Sequence, residues 1–251
     1  HNVVAVPIKQ AVKRGSHLIV IDPREVELTR YAELWLRPRP GSELTLLGGM
    51  MRAIVDEVAE DTDYLREHVE NVDLLKRSLA RYFDLEKTAE ITGVSKELIR
   101  EAASLFAKTD PAAIVYALDT VISEHTLDIT YAIANLALIT GNIGKPGGGV
   151  YPLLHGANAQ GAWDVGSVPS LLPGYRRVSD DVLRYALEQV WNTTLPRGEG
   201  IGVRDIRDAV DGDQVKAMLV FGEDSLSADE IFERLDFLVV HANFLEGVAQ
   251  Q

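Results

Sequence analysis

Apolar positions recur along this chain in two rhythms, one of helices and one of short strands, and the two alternate. Residues 3–13 show the helical rhythm and Gly15 stops it, which predicts a helix. Residues 17–21, HLIVI, are a short apolar run of the kind that suits a parallel strand buried on both faces, and Asp22 and Pro23 end it. A second short strand is predicted over 33–36. Pro40-Gly41 reads as a turn and Ser42 as the N-cap of a helix reaching about residue 59, in which Leu44, Leu47, Met51, Ile54 and Val55 recur at helical spacing. Residues 61–87 read as two short helices around Asn71, and 89–92 lead to Gly93. Ser95 opens a helix to residue 108, Asp110-Pro111 breaks the pattern, and 112–117 form a strand. A helix over 126–140 precedes a glycine-rich loop over 141–175. Beyond it come a helix over 180–191, a loop over 192–202, a short helix over 204–210 ended by Gly212, a strand over 215–220, a helix over 227–235 and a last strand over 237–240. Such alternation defines an α/β protein with mainly parallel sheets. Two units, 1–110 and 111–251, are expected to meet at the Asp110-Pro111 break, the second carrying the long loop.

Composition narrows the chemistry more than the fold. With 46% apolar and 25% charged residues, the 251-residue chain is rich enough to bury a core. Its net charge of −13 argues against nucleic acid as a partner, because binding phosphate polymers needs clustered Lys and Arg. No apolar run approaches the roughly 18 residues of a membrane span, and the opening HNVVAVPIKQ does not have the form of a signal peptide. Compartment stays open on these grounds, with the cytoplasm slightly favoured. The absence of cysteine excludes disulfides, thiolate nucleophiles, iron–sulfur clusters and Cys-ligated zinc within these residues. His1, His17, His68, His125, His155 and His241 are scattered, with no pair at metal-ligand spacing.

Several short segments carry candidate chemistry. Asp22, at the carboxyl end of a parallel strand, suits the hydroxyls of a ribose, and Arg24 suits a phosphate; on spacing alone a plain strand-ending turn is the stronger reading. In Pro40-Gly41-Ser42-Glu43, the helix start favours an anion and Glu43 could accept from the two donors of a guanine edge, but a capping turn again explains the residues alone. Residues 141–149, GNIGKPGGG, are not a P-loop, because Pro146 follows the lysine and the glycine spacing is wrong. These glycines let the backbone pass close to a neighbour or a cofactor. Asn158 and Gln160 could both donate and accept toward a ligand edge, or satisfy loop backbone groups. Gly222-Glu223-Asp224 and His241-Ala242 follow two later strands, at ends where α/β proteins bind ligands.

Two blocks carry a resemblance: GSHLIVIDPREVELTRYAELWLRPRPGSE, and TGNIGKPGGGVYPLLHGANAQGAWDVGSVPSLLPGY. Together they resemble the large subunits of molybdenum and tungsten pterin oxidoreductases, above all the formate dehydrogenase-like branch, with its D-P-R, A-x-x-W-L and P-G-[ST]-[DE] segments in this order. The resemblance implies two Rossmann-like α/β units that are incomplete domains of a longer polypeptide. It implies a molybdopterin guanine dinucleotide holding Mo or W, and an iron–sulfur cluster outside these residues. Partners implied are the remaining segments of the large subunit, iron–sulfur electron-transfer subunits and a small substrate such as formate, with no direct membrane insertion. One guanosine end would fall to Asp22, Pro23, Arg24, Gly41, Ser42 and Glu43, with Asn158 and Gln160 near pterin and Gly222, Glu223, Asp224 and His241 at the second unit's strand ends.

Departures from the family pattern bear on the same site. Leu118-Asp119 falls where the family carries Met-Gly, Ile122 where it carries a Gln that hydrogen-bonds the cofactor, and Tyr131 where formate dehydrogenases carry an Arg for the substrate carboxylate. A small shift in alignment brings Glu124-His125 onto the family's Q-H pair, so His125 and Tyr131 are candidates for lining the substrate path. Asp224-Ser225 replaces N-P, and Ala242 replaces an Asp. These replacements admit a second reading, a cofactor-free scaffold like the large iron–sulfur subunit of respiratory complex I. A plain Rossmann enzyme is a third, against which stands the absence of G-x-G-x-x-G after a first strand.

Overall fold

The structure, a computed structural model, describes residues 2–117, 126–154, 158–222, 230–244 and 247–250. Two compact units divide the chain, His1–His155 and Gly156–Gln251. Asp110-Pro111, expected above as a break between units, lies inside the first.

The first unit is organised around one helix. After α1 (Asn2–Lys13), β1 (Ile19–Ile21) pairs in parallel with β2 (Leu34–Leu36), in the register Ile19↔Leu34 to Ile21↔Leu36. Helix α2 (Glu43–Asp56) follows and is packed by α4 (Val72–Tyr82), α5 (Leu85–Thr92), α6 (Lys96–Lys108) and α7 (Thr126–Ile139), with α3 (Thr62–His68) leading into α4. Leu46, Leu47, Met50, Met51, Ala53 and Ile54 are all buried on α2, so its apolar surface wraps most of the way round, as a central helix requires. Gly48 and Gly49 admit the close neighbours: an added Cβ at Gly48 would lie 2.2 Å from the Phe83 ring, and one at Gly49 2.5 Å from Thr88 Cγ2. Ser95 and Asp84 accept from the backbone N–H groups of Leu98 and Lys87 and so start α6 and α5, while Gly93 ends α5 at φ +75°. The pattern over 61–87 predicts two short helices; α3, α4 and α5 occupy this stretch and its continuation to Thr92.

The glycine-rich segment holds more regular structure than its composition suggests. Strand β3 (Ala113–Ala117) pairs in parallel with β4 (Gly149–Leu153), which lies within the stretch expected as loop. Ile114, Tyr116 and Val150 pack onto the core of the first unit. The turn leading to β4 is tied down by Asn142, which is 1% exposed. Its Oδ1 accepts from the Ala112 N–H at 2.8 Å, and its Nδ2 donates to Thr140 Oγ1 at 2.9 Å and Thr140 O at 3.2 Å. The glycines here meet their own chain. Gly141, at φ +64°, faces Asp61, which caps α3, and Gly148 faces the Asn142 carbonyl. Gly141→Ala is therefore expected to cost about 3 kcal/mol, a left-handed penalty of ~1–2 kcal/mol plus collision with Asp61. Gly144→Ala, at φ +81° with nothing within 4 Å, is expected to cost only the backbone part. Urea unfolding of the two variants separates these contributions.

In the second unit, α8 (Ala159–Asp164) precedes the antiparallel pair β5 (Leu171–Leu172) and β6 (Arg176–Arg177). Helix α9 (Asp181–Trp191) follows, then α10 (Ile206–Asp211). Arg184 is buried; it donates to the Val178 carbonyl at 3.2 Å and pairs with Asp181, holding that carboxyl below the usual range chiefly through the hydrogen bond. Strands β7 (Ala217–Phe221) and β8 (Phe237–His241) run parallel in the register Ala217↔Phe237 to Phe221↔His241. Val220, Ile231, Phe232, Val210 and Val248 form the core on one face. On the other, Leu219, Phe221 and Phe237 are exposed. The helix expected over 227–235 is a 3-10 turn over Glu230–Arg234 where described.

Candidate functional site: the carboxyl end of β1 and β2

Because β1 and β2 are parallel, both chains leave the sheet at the same end, bringing Asp22-Pro23-Arg24 beside Arg37, from which the chain runs on to Glu43 at the start of α2. Asp22 Oδ1 accepts from the Arg24 backbone N–H at 2.8 Å and from Arg24 Nε at 3.3 Å. This is the turn-forming role an Asp takes before a proline. Among the described residues Oδ2 has no hydrogen-bond partner, and neither does the Nη edge of the exposed Arg24 guanidinium. Trp35 and Arg37 follow the strand alternation onto the face opposite the buried Leu34 and Leu36. Trp35 Nε1 donates to the Asp22 carbonyl at 2.9 Å, and Arg37 Nε to the Pro23 carbonyl at 2.9 Å.

The turn before α2 is built differently from the expectation for Ser42. The serine occupies the N-cap position at ψ 12°, but its hydroxyl donates to the Arg39 carbonyl at 2.6 Å and does not cap the helix amides. The same carbonyl accepts from the Ser42 N–H, so the serine closes the Arg39–Ser42 turn. Gly41 sits at φ +85° with open space around it, and its N–H donates to Glu43 Oε1 at 3.2 Å. Glu43 Oε2 has no partner among the described residues. Arg39 points away: its Nη1 donates to the Glu90 and Ile91 carbonyls, at the negative end of α5.

Other candidate residues lie elsewhere. Asn158 Oδ1 accepts from the Gly161 N–H and starts α8, while Gln160 Nε2 donates to Tyr175 Oη at 2.8 Å and Asp164 Oδ1 at 3.1 Å. Gly222, at φ +62°, donates its N–H to the His241 carbonyl, and the His241 and Phe221 rings lie 5.7 Å apart. These two strand ends are therefore adjacent, as the parallel register demands. Tyr131 lies on α7 and is 59% exposed. Leu118, Ile122, His125, Glu223 and Asp224 lie outside the described residues. Among the described residues no group of three or more His, Asp or Glu side chains is arranged to hold a metal ion, and no helix is long and apolar enough to cross a membrane. A cleft of about 590 Å³ between α3 and α4, lined by Leu65, Arg66, Asn71 and Lys76 among others, does not coincide with the strand-end cluster.

Trp35 enters the sequence reading only as the Trp of A-x-x-W-L, with no role at the site, and Arg37 is not singled out; strand alternation places them on one face and is the available signal. Asn142 gave less warning, because an amide between a glycine and an isoleucine does not announce burial.

The comparisons with known proteins bear on this arrangement. The molybdopterin oxidoreductase family model matches residues 1–249, and the chain belongs to that family. It is 36% identical to a Bacillus subtilis protein described as a "probable oxidoreductase", over 100% of this chain and 26% of that protein. It is 34% identical to the F420-dependent formate dehydrogenase subunit alpha of Methanocaldococcus jannaschii, over 100% of this chain and 38% of the relative. Formate dehydrogenase H of Escherichia coli is 30% identical over 99% of this chain and 36% of its own length. The acetylene hydratase of Pelobacter acetylenicus shares the fold, with a TM-score of 0.69 at 23% identity over 94% of this chain and 36% of that one. The chain thus spans between 26% and 38% of the length of these curated relatives.

Proposed function

We propose that this chain forms the central part of the large subunit of a molybdopterin guanine dinucleotide-dependent oxidoreductase of the formate dehydrogenase type. The observation that carries the reading is the pair Asp22 and Arg24 at the shared carboxyl end of β1 and β2, with Glu43 opening the helix that β2 leads into. Together these residues offer acceptors for a ribose and a guanine edge and a guanidinium for phosphate. That donor set fits the nucleotide arm. Formate dehydrogenases at 30–34% identity support the substrate class. When bound, the group supplies a two-electron redox centre at Mo or W, whose electrons leave through iron–sulfur centres outside these residues.

In this reading Asp22 Oδ2 accepts from the ribose hydroxyls, Arg24 pairs with phosphate and Glu43 accepts from the guanine N1–H and amino group. Gly41, without a side chain, leaves the approach to that base open. Asn158, Gln160, Gly222, Glu223, Asp224 and His241 border the rest of the cofactor, and His125 and Tyr131 line the path of formate or a similar small substrate. Partners are the remaining segments of the large subunit and iron–sulfur electron-transfer subunits.

The test is metal and nucleotide content of the full-length protein from its own host. About one Mo or W per chain, with GMP released on acid hydrolysis, supports the reading. Neither metal nor GMP overturns it and leaves the cofactor-free scaffold. Glu43→Gln sets an amide N–H against a guanine donor and is expected to lower released GMP by about tenfold, one charge-assisted hydrogen bond's worth. Nucleotide analysis of the variant checks this.

A further inference from the structure

We infer that Arg37 is a second phosphate-binding arginine of the nucleotide site, completing with Arg24 a fork for a diphosphate. The inference rests on the nucleotide reading given above and adds a residue to it. Register sets the position: Ile21 pairs with Leu36, so Asp22 and Arg37 leave their strands side by side. Two contacts then fix the Arg37 guanidinium. Its Nε donates to the Pro23 carbonyl at 2.9 Å, and its Cζ lies 5.4 Å from the centre of the Trp35 ring. Trp35 is itself pinned by its bond to the Asp22 carbonyl.

What these contacts leave unused is the informative part. Arg37 is exposed, has no carboxylate partner among the described residues, and has both Nη groups free. Nearby cations differ: Arg39 spends Nη1 on the carbonyls at the end of α5, and Arg30 faces Glu25 at 3.9 Å. Arg24 resembles Arg37, since its Nε is held by Asp22 while its Nη edge is free. Two arginines are thus held through Nε against the same Asp22-Pro23-Arg24 segment with their bidentate edges outward. An arginine held in place loses less freedom when it grips an anion, and its planar fork matches two phosphate oxygens. A diphosphate supplies an anionic group for each fork, whereas a monophosphate leaves one unfilled.

The experiment is isothermal titration of cofactor-free full-length protein with GDP and with GMP. Wild-type protein is expected to bind GDP about tenfold more tightly than GMP. Arg37→Met, which keeps an apolar stem over Trp35, is expected to abolish that gap while leaving GMP affinity within about twofold, and Arg37→Lys to restore part of it. A GDP–GMP gap that survives Arg37→Met overturns the inference, as does equal affinity in the wild type. Glu43→Gln weakens both nucleotides alike if the underlying site is correct. Failure of wild-type protein to bind either nucleotide removes that site, and this inference with it.

Discussion

Asn142→Leu is expected to destabilise the first unit by about 3 kcal/mol, although leucine branches at Cγ as asparagine does. Asn142 joins three backbone or hydroxyl groups: the Ala112 N–H, the Thr140 carbonyl and the Thr140 hydroxyl. Leucine satisfies none of them, and a polar group left unpaired in a buried place costs ~1–3 kcal/mol. Gain from burying the apolar side chain offsets only part of this, because the site is already closed to water. For a unit of this size the change corresponds to roughly 10 °C in Tm. Thr140→Val isolates a smaller piece. It removes the hydroxyl that receives from Asn142 and donates to the Leu136 carbonyl at 2.9 Å, and is expected to cost about 1 kcal/mol. Urea unfolding followed by circular dichroism measures both, and an Asn142→Leu variant within about 0.5 kcal/mol of wild type would show that the knot is dispensable.

Gly48→Leu sets two rules against each other. Helix propensity favours the change by nearly 1 kcal/mol, since Gly48 lies well inside α2. Packing opposes it. A Cβ at this position would stand 2.2 Å from Phe83 Cδ1 and Cε1 and 2.7 Å from Cγ, so the ring has to leave its socket. Overpacking of this kind costs ~1–3 kcal/mol and forfeits the burial of the ring as well. The net expectation is a loss of about 3 kcal/mol, opposite in sign to propensity. A double-mutant cycle tests the cause: Phe83→Ala is costly in the wild type and nearly free beside Gly48→Leu, because the ring has already been expelled. Additive effects, or a stabilised Gly48→Leu, would place the origin elsewhere.

Much of the α/β pattern could be read from local signals. β1, β3, β7 and β8 are short apolar runs, and α6 begins at Ser95, whose side chain makes the expected cap. β4 escaped because Gly149 and Pro152 interrupt it, and because its partner β3 lies more than thirty residues earlier. Ser42 shows a different limit. The residue type suits a cap, yet its hydroxyl closed the preceding turn. At the candidate site, Asp22 and Glu43 could be nominated by type and by the strand-end rule. That Arg37 reaches Pro23 depends on the register of two three-residue strands, which no local pattern encodes.

The Trp35 indole, fixed between the Asp22 carbonyl and the Arg37 guanidinium, is also an optical probe already in place. Of the three tryptophans, Trp163 and Trp191 belong to the second unit, so Trp35 alone represents the first. Replacing the other two with phenylalanine leaves a single emitter at the strand ends. Its spectrum then follows the melting of one unit without interference from the other, and a purine settling nearby dims it with no label attached.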